Sequence, residues 1–160
     1  MNLPKTFNPK LDLKLQREVT AIPEFLWDGW TKPEILKKWF CPLPWKTIEC
    51  EIELVPGGIF RTVMQSPEGQ KFPSTGCMLE IIPNRKLVWT SALGPGFRPS
   101  EAAPNEGFLF TGVILLEPTK IGTLYTALGL HSNEASRKVH EDMGFEQGWG
   151  IALDQLLALK

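Results

Sequence analysis

The sequence predicts an α+β fold in which a curved antiparallel sheet surrounds a long C-terminal helix. Most of the chain consists of short segments in which apolar and polar residues alternate, as they do in half-buried strands. Apolar residues recur at helical spacing only after the first of these segments and again at the C-terminal end. Short turns join most of the later strands, which favours antiparallel pairing. The predicted element order is β-α-α-β6-α.

The chain begins with an arm and a strand. Residues 1–10 contain Pro4 and Pro9 and are predicted to form a loose N-terminal arm. Residues 11–20 alternate between leucines on one side and polar side chains, including Asp12, on the other. This alternation predicts a half-buried strand.

Two short helices are predicted after this strand. The first follows Pro23, a residue type that is favoured in the first helical turn. For the second helix, Thr31 is the predicted N-cap, Pro33 lies in the first turn, and Glu34 provides the acid of a capping box.

Six further strands follow, separated by turns that contain Gly, Pro or Asn. They are predicted at residues 48–54, 59–65, 71–82, 86–90, 108–117 and 123–131. Between the predicted strands 86–90 and 108–117, the segment 91–107 contains too much Gly and Pro for regular structure over most of its length. A loop of this length in a compact domain is typical of a lid or a binding loop, so we expect it to gate a binding site.

Residues 132–160 are predicted to form one long helix. Ser132 or Asn133 can cap it by accepting a hydrogen bond from a free backbone N–H group. The apolar residues after position 144 fall on one broad face, and continuous helical geometry places His140 on the opposite, solvent face.

Glycine is unusually frequent in this helix. Gly144, Gly148 and Gly150 each cost about 1 kcal/mol relative to Ala in a helix interior. Two interpretations are open: the glycines allow tight packing against a strand, or they leave room for a ligand.

Composition limits the classes of function. The chain has 160 residues and a formal net charge of −1, which gives no electrostatic reason to expect nucleic acid or a membrane as a partner. The length fits a single domain over residues 1–160. Three cysteines without a zinc-binding spacing predict reduced, inert thiols in a cytoplasmic protein. No hydrophobic run resembles a signal peptide or a membrane span.

No catalytic motif is present, so no catalytic residue is assigned and no cofactor is expected. The sequence lacks a nucleophile elbow, a dinucleotide-binding glycine motif and a P-loop. His131 and His140, with Glu141 and Asp142, suggest three alternatives: a metal cluster, a surface or helix-terminus histidine, or an acid/base group at a pocket edge. We predict no metal site.

Aromatic side chains are the strongest candidates for a site. Rings come from every segment that should meet between the sheet and the terminal helix, where they form either a plain core or the wall of a pocket. Indole N–H groups in such a pocket need partners, which we expect water or ligand to supply. The predicted ligand-binding residues are Trp30, Trp39, Phe40, Trp45, Phe60, Met64, Met78, Trp89, Phe110, Trp149 and Leu153. Arg61, Glu80 and His140 are candidate polar groups of the pocket; the alternative for Arg61 and Glu80 is a position on the surface.

Several short motifs give the chain a family resemblance. They include Trp30-x-x-Pro-Glu before Trp39-Phe40, Pro56-Gly57-Gly58 before Phe60-Arg61, and Gly148-Trp149 before Leu153. In order and spacing, from residue 11 to the end, the chain resembles the SRPBCC (START-like, birch-pollen-allergen-like) superfamily with its helix-grip fold. Within it, the chain resembles homologues of the activator of heat-shock-protein-90 ATPase.

The resemblance implies a cavity between the sheet and the long helix that receives apolar ligands. Three hypotheses follow. The first is binding of a hydrophobic or aromatic small molecule without catalysis; the second is a polyketide-cyclase- or hydrolase-like enzyme that uses the same cavity. The third is a chaperone partner, which requires an exposed apolar or charged patch.

Overall fold

The computed structural model describes residues 3–101 and 107–160. Within them the strands are β1 (Asp12–Val19), β2 (Lys46–Ile52), β3 (Ile59–Gln65), β4 (Lys71–Ile82), β5 (Lys86–Thr90), β6 (Leu93–Gly94), β7 (Arg98–Pro99), β8 (Thr111–Pro118) and β9 (Thr123–Leu130). The α-helices are α1 (Pro23–Thr31), α2 (Pro33–Leu36), α3 (Glu134–Asp142) and α4 (Phe145–Leu157). No helix of the described residues is long and apolar enough to cross a membrane.

Seven of these strands form one antiparallel sheet in the order β1-β9-β8-β5-β4-β3-β2. The order confirms the predicted meander, with the first strand added beside the last. The register shifts between Thr47 and Glu49 in β2 and between Met78 and Glu80 in β4. Such bulges increase strand twist, which helps a sheet to curve. The predicted α+β helix-grip architecture is therefore confirmed.

The two short helices form where predicted, but the capping differs. Thr31 is the last residue of α1, and its hydroxyl group donates a hydrogen bond to the backbone oxygen of Trp27 (2.8 Å). Lys32 occupies the N-cap of α2, with no side-chain cap. The prediction of Thr31 as a cap is wrong because its side chain bonds back to the preceding turn instead.

The C-terminal segment is two helices, so the prediction of one continuous helix is also wrong. Asn133 caps α3 as expected, accepting a hydrogen bond from the backbone N–H of Ser136 (2.8 Å). The chain then breaks at Gly144, whose φ of +88° lies in the left-handed region. Glycine adopts this conformation at little cost, and it redirects the chain between α3 and α4.

Two residues in the described part of the N-terminal arm pack on the sheet. Leu3 and Phe7 cover Val113, Leu115 and Leu128 on the outer face of the sheet. Asp12, predicted to face solvent, is only 7% exposed. The backbone N–H of Asn8 donates a hydrogen bond to the carboxylate of Asp12 (2.8 Å), which satisfies one oxygen of this buried side chain.

The segment after β5 also has more structure than expected. β6 and β7 pair as a small hairpin, and the backbone N–H of Gly96 bonds to the oxygen of Gly57 (2.7 Å). Phe97 packs its ring on Gly57, so the hairpin leans on the turn between β2 and β3. Residues 102–106, which belong to the predicted gating loop, lie outside the described residues.

The main core lies between the sheet and the helices α1, α2 and α4. Leu26, Leu36, Leu153 and Leu156 are fully buried there. Burial of such a side chain contributes roughly 1.5–3 kcal/mol. Leu153 and Leu156 thus fix the second half of α4 in the core, and its first half is not held by these leucines.

Candidate functional site

A cavity of about 610 Å³ lies between the sheet and the first half of α4. Strands β3, β4, β5 and β9 contribute to its wall, as do α1, the segment after α2 and the residues around Gly144. The lining residues are Trp30, Trp39, Phe40, Cys41, Pro42, Leu43, Trp45, Phe60, Thr62, Met64, Ser74, Gly76, Trp89, Ser91, Phe108, Phe110, Tyr125, His140, Met143, Gly144, Phe145, Gly148, Trp149 and Ala152.

The aromatic rings of the wall are packed on one another. Trp89 and Trp149 lie nearly parallel, with centroids 6.4 Å apart and an interplanar angle of 9°. Phe145 is 4.5 Å from Trp149, and Trp30 is 5.1 Å from Trp89. Ring pairs at these separations stabilise each other, so the wall is preformed.

Two indole N–H groups have protein partners, contrary to the expectation that water or ligand would supply them. Trp30 Nε1 donates to the hydroxyl oxygen of Tyr125 (3.0 Å), and both side chains are 2% exposed. Trp39 Nε1 donates to the backbone oxygen of Gly29 (3.0 Å). Burial raises the pKa of Tyr125, so its hydroxyl group stays protonated.

A pair of buried histidines meets at the cavity. His131 Nε2 lies 2.8 Å from His140 Nδ1, and each residue is 7% exposed. The His140 ring also packs against Phe108 at 4.4 Å and Phe145 at 5.0 Å. Burial lowers the pKa of His131, and burial together with the neighbouring His131 lowers the pKa of His140 to about 3.

The position of His140 corrects the expectation that it faces solvent. That expectation assumed one continuous helix through residues 132–160. Because the chain breaks at Gly144, the faces of α3 and α4 are not in phase, and His140 lies 6.2 Å from Trp149 between ring centroids. Of the three alternatives, a position at the edge of the pocket describes it.

Four predicted site residues lie outside the cavity wall. Arg61 forms an ion pair with Glu49 (3.3 Å), and Glu80 pairs with Lys86 (2.7 Å), as their surface alternative expects. Alternation along a strand explains the difference, since Arg61 points to the face opposite Phe60 and Thr62. Met78 and Leu153 are fully buried in the core and do not reach the cavity.

The other predicted ligand-binding residues all border the cavity. Whether they bind a ligand stays a prediction. Sequence reasoning missed Tyr125 and Phe108 as wall residues, which come from β9 and from the segment before β8. It named His131 as a candidate but did not predict its contact with His140. Tyr125 is the single tyrosine of the chain, and that was the one available signal.

The glycines of α4 do not serve tight packing. A Cβ atom at Gly148 would meet only Pro42 Cγ at 3.8 Å, and one at Gly150 would meet only Arg17 Nη1 at 4.0 Å. Gly148 lines the cavity, whereas Gly150 does not. At Gly148, therefore, the interpretation as open space describes the structure.

The mouth of the cavity has apolar residues in contact with solvent. Leu43 is 69% exposed and Met143 is 72% exposed. Gln155 of α4 holds the segment beside them: its amide donates to the backbone oxygens of Trp39 (3.1 Å) and Cys41 (2.8 Å) and accepts from the N–H of Leu43 (2.9 Å). The mouth is thus fixed to the helix at three points.

Polar groups in the wall are few and uncharged. None of the described residues that line the cavity is Asp, Glu, Lys or Arg. Hydroxyl groups come from Thr62, Ser74, Ser91 and Tyr125. Across residues 3–101 and 107–160, no group of three or more His, Cys, Asp or Glu is arranged to hold a metal ion. Burial raises the pKa of Cys41, which keeps this wall residue as a thiol.

The sheet, the two short helices after β1 and the C-terminal helix over an aromatic cavity define a helix-grip domain of the SRPBCC class. A family model places it further. The Activator of Hsp90 ATPase homolog 1-like family matches residues 20–159, so the chain belongs to that family. No curated protein matches the chain significantly.

Solved structures agree with this assignment. A protein from Nitrosomonas europaea, known from a crystal structure, is 48% identical in sequence. The alignment covers 94% of each chain, and the TM-score is 0.88. A protein from Rhodobacter sphaeroides is 24% identical over 96% of this chain and 97% of its own, with a TM-score of 0.76. An AHSA1-like protein from Aeromonas hydrophila is 15% identical over 93% and 94%, with a TM-score of 0.71. The last two show the shared fold alone.

Proposed function

We propose that the protein binds a neutral, largely apolar aromatic small molecule in the cavity under α4. One observation carries the proposal: a preformed space of about 610 Å³ walled by rings, with no Asp, Glu, Lys or Arg among its described lining residues. Such a volume and lining are typical of small-molecule sites. An ionised ligand would lose its hydration there without gaining a charged partner, so the ligand is uncharged.

The surrounding structure supports entry of such a ligand. Leu43 and Met143 expose apolar surface beside the opening. Gly148 gives the ligand a length of helix backbone without a side chain. A helix glycine lowers stability, and exposed apolar side chains are unfavourable in water. Both features have a use if an apolar molecule enters through the mouth and lies along α4.

A titration with matched probes tests the proposal. 4-Methoxybiphenyl is neutral and biphenyl-4-carboxylate is anionic, and the two have similar shapes. Because five of the six tryptophans border the cavity, the neutral probe should quench indole fluorescence in a saturable way, and the anionic probe should not. Equal binding of both probes would refute the preference for neutral ligands, and binding of neither would refute the proposed binding site.

A pair of variants places the probe. Gly148→Leu introduces a side chain at the cavity wall, whereas Gly150→Leu introduces the same side chain two residues further along the helix and outside the wall. We expect the first variant to lose probe binding and the second to keep it. If both variants bind as the parent protein does, the probe lies elsewhere.

The enzyme alternative of cyclase or hydrolase type needs a titratable group in the cavity. Arg61 and Glu80 lie outside it, and His140 is within it. A histidine with a pKa of about 3 is a weak base at neutral pH and a poor reservoir of protons. The chemistry of His140 therefore favours binding over acid/base catalysis.

The chaperone alternative stays a prediction with its own test. The exposed apolar residues beside the cavity opening already have a reason to be exposed in the binding proposal. Capture of purified Hsp90 by the immobilised protein at micromolar concentration would favour the chaperone alternative. Competition of that capture by 4-methoxybiphenyl would show that both functions use the same mouth.

A further inference from the structure

The second ring nitrogen of His140 is available to a ligand. Nδ1 is engaged by His131, but Nε2 has no hydrogen-bond partner among the described residues. The ring is packed among Phe108, Phe110 and Phe145, and the residue lines the cavity. Because Nδ1 is directed to His131, Nε2 is the ring nitrogen that remains to meet a ligand there.

A chain of hydrogen bonds determines whether Nε2 donates or accepts. His131 Nδ1 lies 2.8 Å from the backbone oxygen of Leu11, which can only accept, so the hydrogen sits on His131 Nδ1. A neutral imidazole has one N–H group, and His131 Nε2 is therefore an acceptor. His140 Nδ1 must then donate to it, which leaves His140 Nε2 without a hydrogen.

This arrangement of hydrogens holds when both rings are neutral, and the surroundings of the rings favour the neutral form. The charged groups that act on His131 are Asp12 and Arg137, whose effects on its pKa oppose each other. Burial is the larger influence on both histidines and disfavours the charged form. At neutral pH the two rings thus form a chain with one direction, from His140 through His131 to the carbonyl group of Leu11.

This inference rests on the proposed function and narrows its ligand class. We propose that the cavity selects neutral aromatic ligands that carry a hydroxyl group, and that His140 Nε2 accepts the hydrogen bond from that group. The other hydroxyl groups of the wall discriminate less. Those of Thr62 and Ser74 can rotate to donate or accept. The Ser91 hydroxyl is already engaged with the backbone of Phe110, and that of Tyr125 accepts from Trp30. His140 Nε2 cannot donate without a change of tautomer or charge. It therefore forms a hydrogen bond with a ligand hydroxyl group and forms none with an ether oxygen.

The test compares 4-phenylphenol with 4-methoxybiphenyl by isothermal titration calorimetry at pH 7.5. The two probes share a biphenyl body, and only the phenol offers a hydrogen. A net hydrogen bond predicts that 4-phenylphenol binds about five- to tenfold more tightly. Equal affinities would overturn the hydroxyl preference and leave the proposed function intact. If neither probe binds, the proposed function itself fails, and this inference fails with it.

Two further measurements keep the result specific to His140. His140→Phe preserves an aromatic ring and removes the acceptor, so the ratio of the two affinities, measured within the variant, should fall to about one. A phenol preference that persists in the variant would overturn the assignment to His140. The second measurement needs no ligand and no variant. Because the chain contains two histidines, long-range ¹H–¹⁵N spectra resolve both rings. The inference requires Nδ1–H on each ring; an Nε2–H signal from His140 would overturn it.

Discussion

Trp89 lies directly opposite Gly112 in the register of β5 and β8, and its indole ring fills the space that a side chain at Gly112 would occupy. The same ring faces Trp149 on the other side of the cavity, at 6.4 Å and nearly parallel. A strand glycine therefore sets the position of one aromatic wall. Without it, the indole would have to move toward the helix, which is into the cavity.

Replacement of this glycine tests the relationship. Gly112→Ala should lower the free energy of unfolding by about 1–3 kcal/mol, because the added methyl group overlaps the Trp89 ring. It should also weaken binding of 4-methoxybiphenyl, because displacement of the Trp89 ring changes the cavity wall. Urea unfolding and probe titration measure the two effects. Gly94→Ala is the control, because its methyl group would meet only a backbone oxygen at 3.8 Å; equal effects of both substitutions would contradict this role of Gly112.

The break between α3 and α4 gives a second prediction. A glycine-to-alanine substitution should lower the free energy of unfolding at one position and raise it at another. Gly144→Ala should destabilise the protein by about 1–2 kcal/mol, because an L-residue at a φ of +88° is strained. Gly148→Ala should stabilise it by about 1 kcal/mol, because it restores helix propensity without a steric clash. Thermal and urea unfolding compare them. Stabilisation by both substitutions would mean that the helix is continuous through Gly144.

The histidine pair makes stability depend on pH. The folded pKa of His140, about 3, lies below that of an unfolded histidine, so the unfolded state binds more protons as the pH falls through the unfolded value. With an ordinary pKa near 6.5, His140 should cost about 1.4 kcal/mol of stability between pH 7.5 and pH 5.5. His131, whose pKa is also lowered, adds a loss of the same sign. The loss is absent above the unfolded pKa.

Urea unfolding at the two pH values measures this dependence, and His140→Phe is the control. The variant should lose less stability on acidification than the parent protein, because one buried neutral imidazole is gone. The same pH dependence in both proteins would show that His140 is not buried in a neutral state.

Gln155 provides a prediction about access to the cavity. Gln155→Leu removes all three hydrogen bonds to the segment 39–43, so the backbone N–H of Leu43 should exchange with solvent faster. Entry and exit of 4-methoxybiphenyl should both accelerate, as measured by stopped-flow fluorescence. Gln65→Leu is the matched control, because Gln65 ends β3 and its side-chain amide donates to the backbone oxygen of Gly69 in the adjacent turn and not to the segment 39–43. Unchanged exchange at Leu43 in the Gln155 variant would mean that the mouth is held by other contacts.

Alternation and turn chemistry were sufficient to predict the sheet. Where a strand buries mainly one face, as β1 does, its apolar period of two residues is visible in the sequence. β8 and β9 are buried on both faces, and their apolar runs between turn residues indicate strands instead. The C-terminal helix was predicted from its apolar face, but its break was not. A glycine such as Gly144 lowers helix propensity in the same way whether the helix continues or ends. Only the contacts of α3 with the rest of the chain decide between the two outcomes.

The aromatic wall was partly predictable for a related reason. Rings such as Trp30, Trp89 and Trp149 were assigned to the space between sheet and helix because their elements had to meet there. Met78 and Leu153 were assigned by the same reasoning and lie in the core instead. The sequence predicts which face of its element a side chain lies on. It does not predict whether that side chain contacts other core residues or borders the cavity.

By itself, the sequence determined the order of the main elements and the buried face of most of them. The tertiary structure decided the lack of charge in the described cavity wall, because it places Arg61 and Glu80, both sequence candidates for the pocket, outside that wall. The tertiary structure alone decided the histidine pair. His131 follows β9 and His140 lies in α3, and nothing in nine residues of separation predicts a 2.8 Å contact between their rings. That contact depends on where α3 leaves the sheet and where Gly144 turns the chain, and such long-range packing is not encoded in any local pattern.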